Sequence, residues 1–261
     1  MIDALVFSCD RAMQLDGLLR SIRLHRVPYR SLTVLAHNWR HTDALAVVEA
    51  EHPDVRFVAV DGALPFENEV RWFLATHDRV VFHVDDAVFF ARPDPVVLSV
   101  ESAAVSMQLG RNTVWCRTEL GGEVRQKVPP GLVWRWRDAD RDFGYPLSIN
   151  ATVYRTEDLL PLMDFDFGNP NQLEGRLHDR RERFGPEWMV CSPHSSCVSL
   201  PHNAVSPASL SPRGDNPLWQ PEALRERFMA GERLDLGAMD FSRVSGAHQE
   251  IPLVFTQAVR V

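Results

Sequence analysis

The sequence lacks most of the features that assign a protein at a glance. No stretch of the 261 residues approaches the ~20 consecutive apolar positions needed to span a bilayer. The N-terminus, Met1-Ile2-Asp3-Ala4-Leu5-Val6-Phe7-Ser8, has no basic leader, and its apolar run is too short for a signal sequence. A soluble, cytoplasmic protein is expected. Cysteine is scarce: Cys9, Cys116, Cys191 and Cys197 form no CxxC pair, which argues against a structural zinc site and fits a reducing compartment. A basic excess is missing too. Lys and Arg number 28 against 35 Asp and Glu, for a net charge of −7, and the two signs are interspersed. Nucleic acid is therefore disfavoured as a main partner. The cluster Arg176-Leu177-His178-Asp179-Arg180-Arg181-Glu182-Arg183 reads as a solvated helix face. Repeats, low-complexity tracts and Ser/Gly-rich linkers are absent, so residues 1–261 are expected to form one large domain.

What is present is an alternation. Apolar runs at residues 2–8, 32–36, 55–60 and 79–84 have strand length. Between them lie helical patterns: Leu15, Leu18, Leu19 and Ile22 at spacing i, i+3, i+4, i+7, then residues 43–51 and 66–75. Strands separated by helices imply right-handed crossovers and an α/β fold with a mainly parallel sheet. In such sheets ligands bind beyond the carboxyl ends of the strands. That rule selects the loops 8–11, 37–40, 61–64 and 85–86, three of which carry an Asp. The second half is less regular. Strands are expected at 104–109, 132–136 and 147–154, and a short helix at 157–163. A further helix is expected from Asn169 as N-cap with Pro170 at its first position, running to about Phe184. Residues 191–217 read as a long loop, followed by a helix at 221–230.

The strongest chemical signal is Asp85-Asp86. Two adjacent carboxylates directly after the apolar Val80-Val81-Phe82-His83-Val84 are costly beside a core unless something uses them. A hard divalent ion, Mg²⁺ or Mn²⁺, bridging a diphosphate is one use; an acidic turn is the other explanation. Ser8-Cys9-Asp10-Arg11 fits either phosphate binding or helix capping. Glu174, in the first turns of the helix after Asn169, stays ionised easily there and suits either a general base or a plain helix charge. His248, His194 and His202 sit in polar segments, as metal contacts or as idle side chains. His83 reads as structural. Trp134 and Trp136 fall on one face of a strand, as core or as a sugar platform, and Asp164 and Asp166 alternate with Phe165 and Phe167.

Phe7-Ser8-Cys9-Asp10-Arg11-Ala12-Met13-Gln14-Leu15 resembles the opening of bacterial GT-A-type nucleotide-sugar-dependent glycosyltransferases, and Val81-Phe82-His83-Val84-Asp85-Asp86-Ala87-Val88-Phe89 resembles their metal-binding acidic motif. Gln108-Leu109-Gly110-Arg111-Asn112, Gly144-Tyr145-Pro146-Leu147-Ser148, Asn169-Pro170-Asn171-Gln172-Leu173-Glu174, Pro201-His202-Asn203 and Ser245-Gly246-Ala247-His248-Gln249-Glu250 resemble later blocks, in order along nearly the whole chain. The resemblance implies a GT-A (Rossmann-like) fold, with a nucleotide-sugar half at 1–103 and an acceptor half at 104–261. It implies a nucleotide-diphosphate sugar as donor, a small-molecule or glycan acceptor, and Mn²⁺ or Mg²⁺ as cofactor. Ser8, Asp10, Arg11, Asp61, Asp85 and Asn150 then become donor contacts, Asp86 the metal ligand, His248 a further metal or diphosphate contact, and Glu174 the base. Two departures stand out. The acidic motif has Val84 and Ala87 where a third acid would fall, and an expected Asp-Gly step is Asn150-Ala151. A sugar nucleotidyltransferase and a non-catalytic binding relative are the alternatives, the first weakened by the lack of Gly in residues 8–15.

Overall fold

The computed structural model describes residues 1–118, 122–203 and 214–258. Its first half is the alternation read from the sequence: β1 (Ile2–Ser8), α1 (Ala12–Leu24), β2 (Tyr29–His37), α2 (Thr42–Glu51), β3 (Arg56–Val60), α3 (Ala63–Thr76) and β4 (Arg79–Val84). β5 (Ala87–Phe89), α4 (Pro95–Leu98), β6 (Ala104–Ser106), β7 (Trp115–Cys116), β8 (Val124–Arg125), β9 (Val133–Arg135), β10 (Thr152–Arg155) and α5 (Thr156–Leu159) follow. The chain then forms α6 (Pro170–Asp179), β11 (Trp188–Cys191), β12 (Cys197–Ser199), α7 (Pro221–Met229), β13 (Glu232–Leu234) and β14 (Phe255–Gln257).

Eight strands make the central sheet, in the order β3-β2-β1-β4-β10-β6-β11-β9. β1 pairs in parallel with both β2 and β4, and β2 with β3. The right-hand part is mixed: β10 runs antiparallel to β4 and β6, β11 is parallel to β6, and β9 is antiparallel to β11. Every residue of β1 is buried, as expected of a strand covered on both faces. One face packs on α1 through Leu15, Leu18 and Leu19; the other packs Leu5 and Phe7 against Phe66, Val70 and Phe73 of α3. The sheet is thus the mainly parallel, helix-flanked α/β sheet expected from the sequence.

Several boundaries differ. α6 begins as expected, with Asn169 Oδ1 accepting from Gln172 N at 2.9 Å, but ends at Asp179 rather than near Phe184, and a 3₁₀ turn at Arg181–Arg183 follows. The segment read as loop from 191 to 217 contains β12, which pairs antiparallel with β5; residues 204–213 of that reading lie outside the described residues. The run expected as a strand over 147–154 is extended only at Thr152–Arg155, because Ser148 and Asn150 turn the chain by bonding one another. Trp134 and Trp136 are core rather than a sugar platform: both are buried, with their Nε1–H groups donating to Phe143 O and Pro186 O. Asp164 pairs with Arg180 and Arg183. His83 is structural, fully buried and hydrogen bonded to Tyr29 Oη at 2.7 Å.

Candidate active site

The site grows from the carboxyl ends of β1, β2 and β4. Asp85 leaves β4 into a buried position, 1% exposed. Its Oδ2 accepts from Ser8 Oγ at 2.8 Å and from Cys9 N at 3.1 Å, while Oδ1 lies 2.8 Å from Arg11 Nη2. The same guanidinium reaches Asp86 Oδ2 through Nη1 at 3.0 Å. One arginine therefore spans both carboxylates. Burial pushes the Asp85 carboxyl up to about 6; Arg11 pulls it down and Asp86 pushes it further up. Burial would lower the pKa of Arg11, but Asp85 and Asp86 outweigh that and hold it above its ordinary value. Cys9 beside them is raised to about 11, by burial first and then by Asp10 and Asp85, so it is an inert thiol.

Asp10 turns the loop after β1 at φ 51° and Asn38 turns the loop after β2 at the same angle, a conformation that Asp and Asn tolerate better than most residues. The Asp10 carboxylate accepts from Arg40 N at 2.7 Å, Arg40 Nε at 2.6 Å and His41 N at 3.2 Å. Burial works against its ionised form, but the Arg40 and His41 bonds hold its pKa below the ordinary value. Asp10 thus ties two loops together and leaves the rest of the Arg40 guanidinium facing outward. These loops wall a cavity of about 430 Å³ lined by Ser8, Asp10, Arg11, Asn38, Arg40 and Asp85, and closed by Asn169–Asn171 at the start of α6. Asp61 is exposed at the neighbouring loop and does not line it.

A second cavity, of about 620 Å³, lies further along α6. Glu174 and His178 of that helix line it, with Tyr145, Ser148, Arg181 and His248. Glu174 is half-buried and accepts from Ile149 N at 3.2 Å. Burial pushes its carboxyl up to about 7, against the pull of that one hydrogen bond. Asn150 is buried at the seam, with Nδ2 donating to Ser199 Oγ and Oδ1 accepting from Val84 N. The following Ala151 has φ 51°, a left-handed position where glycine carries no penalty. The expected glycine at this step therefore has a backbone reason, and the alanine bears strain in its place.

β12 brings the C-terminal segment to the acid pair. Ser199 bonds the backbone of Ala247 and Gln249 and bridges to His248. Gly246 makes this approach possible: a Cβ there would sit 2.5 Å from Trp115 O. Asp86 O accepts from Leu200 N at 2.9 Å, and His202 follows, 1% exposed. Asp86 Oδ1, His248 Nδ1 and both ring nitrogens of His202 are buried here without a hydrogen-bond partner. Among the described residues no three His, Cys, Asp or Glu side chains converge closely enough to hold a metal ion by themselves. Ser8, Arg11, Asp85 and Asp86 are brought together; Glu174 and His248 share the other cavity. The sequence reading did not nominate Arg40, Asn38 or Asn169–Asn171 as donor contacts. The rule for strand ends had selected the 37–40 loop, and the Asn169 cap marked the other.

No protein-family model matches the chain, and no curated protein does. Among solved structures it is similar to the mannosyltransferase PcManGT from Pyrobaculum calidifontis in complex with GDP-Man and Mn²⁺, at 16% identity over 76% of this chain and 56% of that one, TM-score 0.39. It is also similar to S. aureus TarS 1–349 in complex with UDP-GlcNAc, at 12% identity over 75% and 57%, TM-score 0.45. A third is the 4-diphosphocytidyl-2C-methyl-D-erythritol synthase from Anaerococcus prevotii, at 11% identity over 77% and 92%, TM-score 0.44. The chain spans little more than half the length of the first two. Matches this distant leave function to the chain's own geometry. That geometry is a Rossmann-like α/β sheet, parallel across β3-β2-β1-β4 and continued by mixed strands, the architecture that the resemblance to GT-A-type enzymes implied.

Proposed function

We propose that the chain is a glycosyltransferase that takes a sugar from a nucleoside-diphosphate donor in the smaller cavity and passes it to an acceptor hydroxyl in the larger one. The observation that carries this reading is the shared wall. α6 presents Asn169–Asn171 to the cavity lined by Arg11 and Asp85 and, one turn later, Glu174 to the other. Donor and acceptor would then lie side by side along one rigid helix, which suits a transfer that depends on positioning.

Charge balance favours a divalent cation. With both acids ionised, Asp85, Asp86 and Arg11 leave one net negative charge, and a diphosphate adds at least two more. Arg40 at the rim offsets part of this. Asp86 Oδ1, buried and unpartnered, is the carboxylate atom able to accept an ion, and one or two carboxylates plus phosphate oxygens are the usual complement of Mg²⁺ or Mn²⁺. When bound, such an ion supplies charge neutralisation on the departing diphosphate. Asp85, held by Ser8 and Arg11, faces the nucleotide cavity as an acceptor for donor hydroxyls. Asn150 and Ser199 set the seam between the cavities. Glu174, near 7, is poised to take the acceptor proton at neutral pH. Nucleotidyl transfer has less support, because the Cys9 N–H of the first loop is already bonded to Asp85 and is not open to cradle a triphosphate.

The test is release of nucleoside diphosphate from a panel of sugar nucleotides with Mn²⁺. Asp86→Ala is expected to lower turnover about 10²-fold or more, the scale of losing one electrostatic stabiliser of the leaving group. An Asp86→Ala protein as fast as the wild type would contradict the reading.

A further inference from the structure

We infer that the larger cavity takes an acceptor sugar bearing an anionic group, a carboxylate or a phosphate monoester, which Arg141 and Arg181 hold while Glu174 faces its hydroxyl. The inference deepens the transferase reading above, on which it rests, by naming the class of acceptor.

α6 and the turn after it grade the wall of this cavity. Glu174, His178 and Arg181 all line it. They follow one another at i, i+4 and i+7, the spacing of one helix face. At 1.5 Å per residue the acid and the guanidinium stand about 10 Å apart along the chain, the span of one sugar ring and its substituent. The middle of the wall is flat and aromatic: His178 stacks on Tyr145 with ring centres 4.6 Å apart and planes at 22°. Arg181 is fixed against that stack, its Nη1 donating to His178 Nε2 and His178 O, both at 3.1 Å.

The stack also brings in the second arginine. Tyr145 follows the 3₁₀ turn Arg141–Gly144, and its N donates to Asp142 O at 3.4 Å. Arg141, the first residue of that turn, lines the cavity at φ 52°, a left-handed conformation that arginine adopts rarely and at a cost. Its surroundings hold it there. Gln126 clamps Asp142 twice, accepting from its N at 3.2 Å and donating to its Oδ2 at 3.0 Å. Gly144 N donates to Asp140 O at 3.0 Å, and a Cβ on Gly144 would sit 2.6 Å from Ala139 O. Strain maintained in this way on a cavity wall is typical of a residue that meets a ligand.

The charges agree. Among the described residues that line the cavity, the acids are Glu174 and Asp142. Asp142 is committed to the fold, accepting from Gln126 Nε2 and, at 3.3 Å, from Cys116 Sγ. Asp140, 4.0 Å from Arg141, and Glu182, 3.8 Å from Arg181, do not line the cavity, and Glu182 also meets Arg137 at 3.2 Å. The basic cluster read from the sequence as a solvated face therefore divides: Arg180 and Arg183 pair with Asp164, whereas Arg181 lines the cavity. Two guanidinium groups beside an aromatic stack suit a carboxylate or phosphate on a sugar, which an arginine fork can meet with paired hydrogen bonds.

Calorimetry of the full chain with D-glucose, D-glucuronate and D-glucose 6-phosphate tests this. At least one anionic sugar should bind about 10-fold or more tightly than glucose, the scale of one charge-assisted contact, and the tighter of the two identifies the anion as carboxylate or phosphate. Arg141→Gln and Arg181→Gln should each reduce that preference about 5-fold or more. Raising the salt from about 0.05 to 0.5 M should weaken the anionic sugar and leave glucose unchanged. Equal binding of all three sugars, or of none, would overturn the inference, as would a preference that both variants retain. Should one variant not fold, the other and the salt series on the wild type decide. Release of nucleoside diphosphate from sugar nucleotides, measured separately, keeps the two readings apart. Release without any anion preference leaves the transferase reading standing and this inference refuted. An arginine-dependent preference in a protein that consumes no sugar nucleotide refutes the transferase reading and, with it, the acceptor role.

Discussion

Replacing Glu174 by Gln should make the protein more stable and less active at once, and the gain should grow from about pH 4.5 and be complete above neutral pH. The folded state holds this carboxyl near 7, well above its ordinary value of 4.5. Its neutral form therefore contributes stability that is complete below about pH 4.5 and is lost as pH rises through 7. Moving the pKa that far costs about 3 kcal/mol once the pH is above both values. Because one edge of the half-buried side chain opens on the cavity, about 2 kcal/mol is the better expectation after solvent screening. Gln does not ionise and keeps an oxygen for the Ile149 N–H. Thermal melts should thus agree within a degree or so at pH 5, and Glu174→Gln should melt about 4–8 °C higher at pH 8. Turnover should fall about 10²- to 10⁴-fold if this carboxylate takes the acceptor proton. Equal melting points at both pH values would refute the desolvation argument. A stabilised variant with unchanged turnover would refute the catalytic role and leave the desolvation argument intact.

Two further predictions concern the nucleotide cavity. Asp85, pushed up to about 6 by burial, loses its charge as the pH falls through that value, so nucleotide affinity should weaken below pH 6, and Asp85→Asn should remove that step from a calorimetric pH series. Asp10→Ala leaves the Arg40 and His41 N–H groups without their shared acceptor and should cost about 2–4 kcal/mol by urea denaturation; a loss below about 0.5 kcal/mol would show that the loop tie does not matter.

How much of this was legible depended on how local the cause is. β1 to β4 and their helices could be read because strands covered on both faces are apolar runs, and the helices between them repeat at 3.6 residues. From that alone the carboxyl-end rule selected the loops at 8–11, 37–40 and 85–86 that now wall one cavity. Asn169 and Pro170 announced α6 in the same local way. β12 could not be read: it is three residues among Ser, Pro, His and Asn, and it is a strand only because β5 lies beside it. Its consequence is large, since it sets Leu200 N on Asp86 O and Ser199 on Asn150. Arg11 spanning two carboxylates 74 and 75 positions away is likewise a product of the sheet. Asp61 shows the limit of the loop rule: its loop has the right address, but the side chain stays outside the cavity.

The central claim is that the 430 Å³ cavity above β1, β2 and β4 binds a nucleoside diphosphate. Isothermal calorimetry with UDP, GDP, TDP and CDP, each with and without Mn²⁺, measures it most directly. One nucleotide should bind, more tightly with Mn²⁺, and Arg11→Met and Asp85→Asn should each weaken it about 10-fold or more, the order of one lost charge-assisted contact. Absence of heat for all four nucleotides in the presence of Mn²⁺, from protein whose melting shows it is folded, would contradict the account.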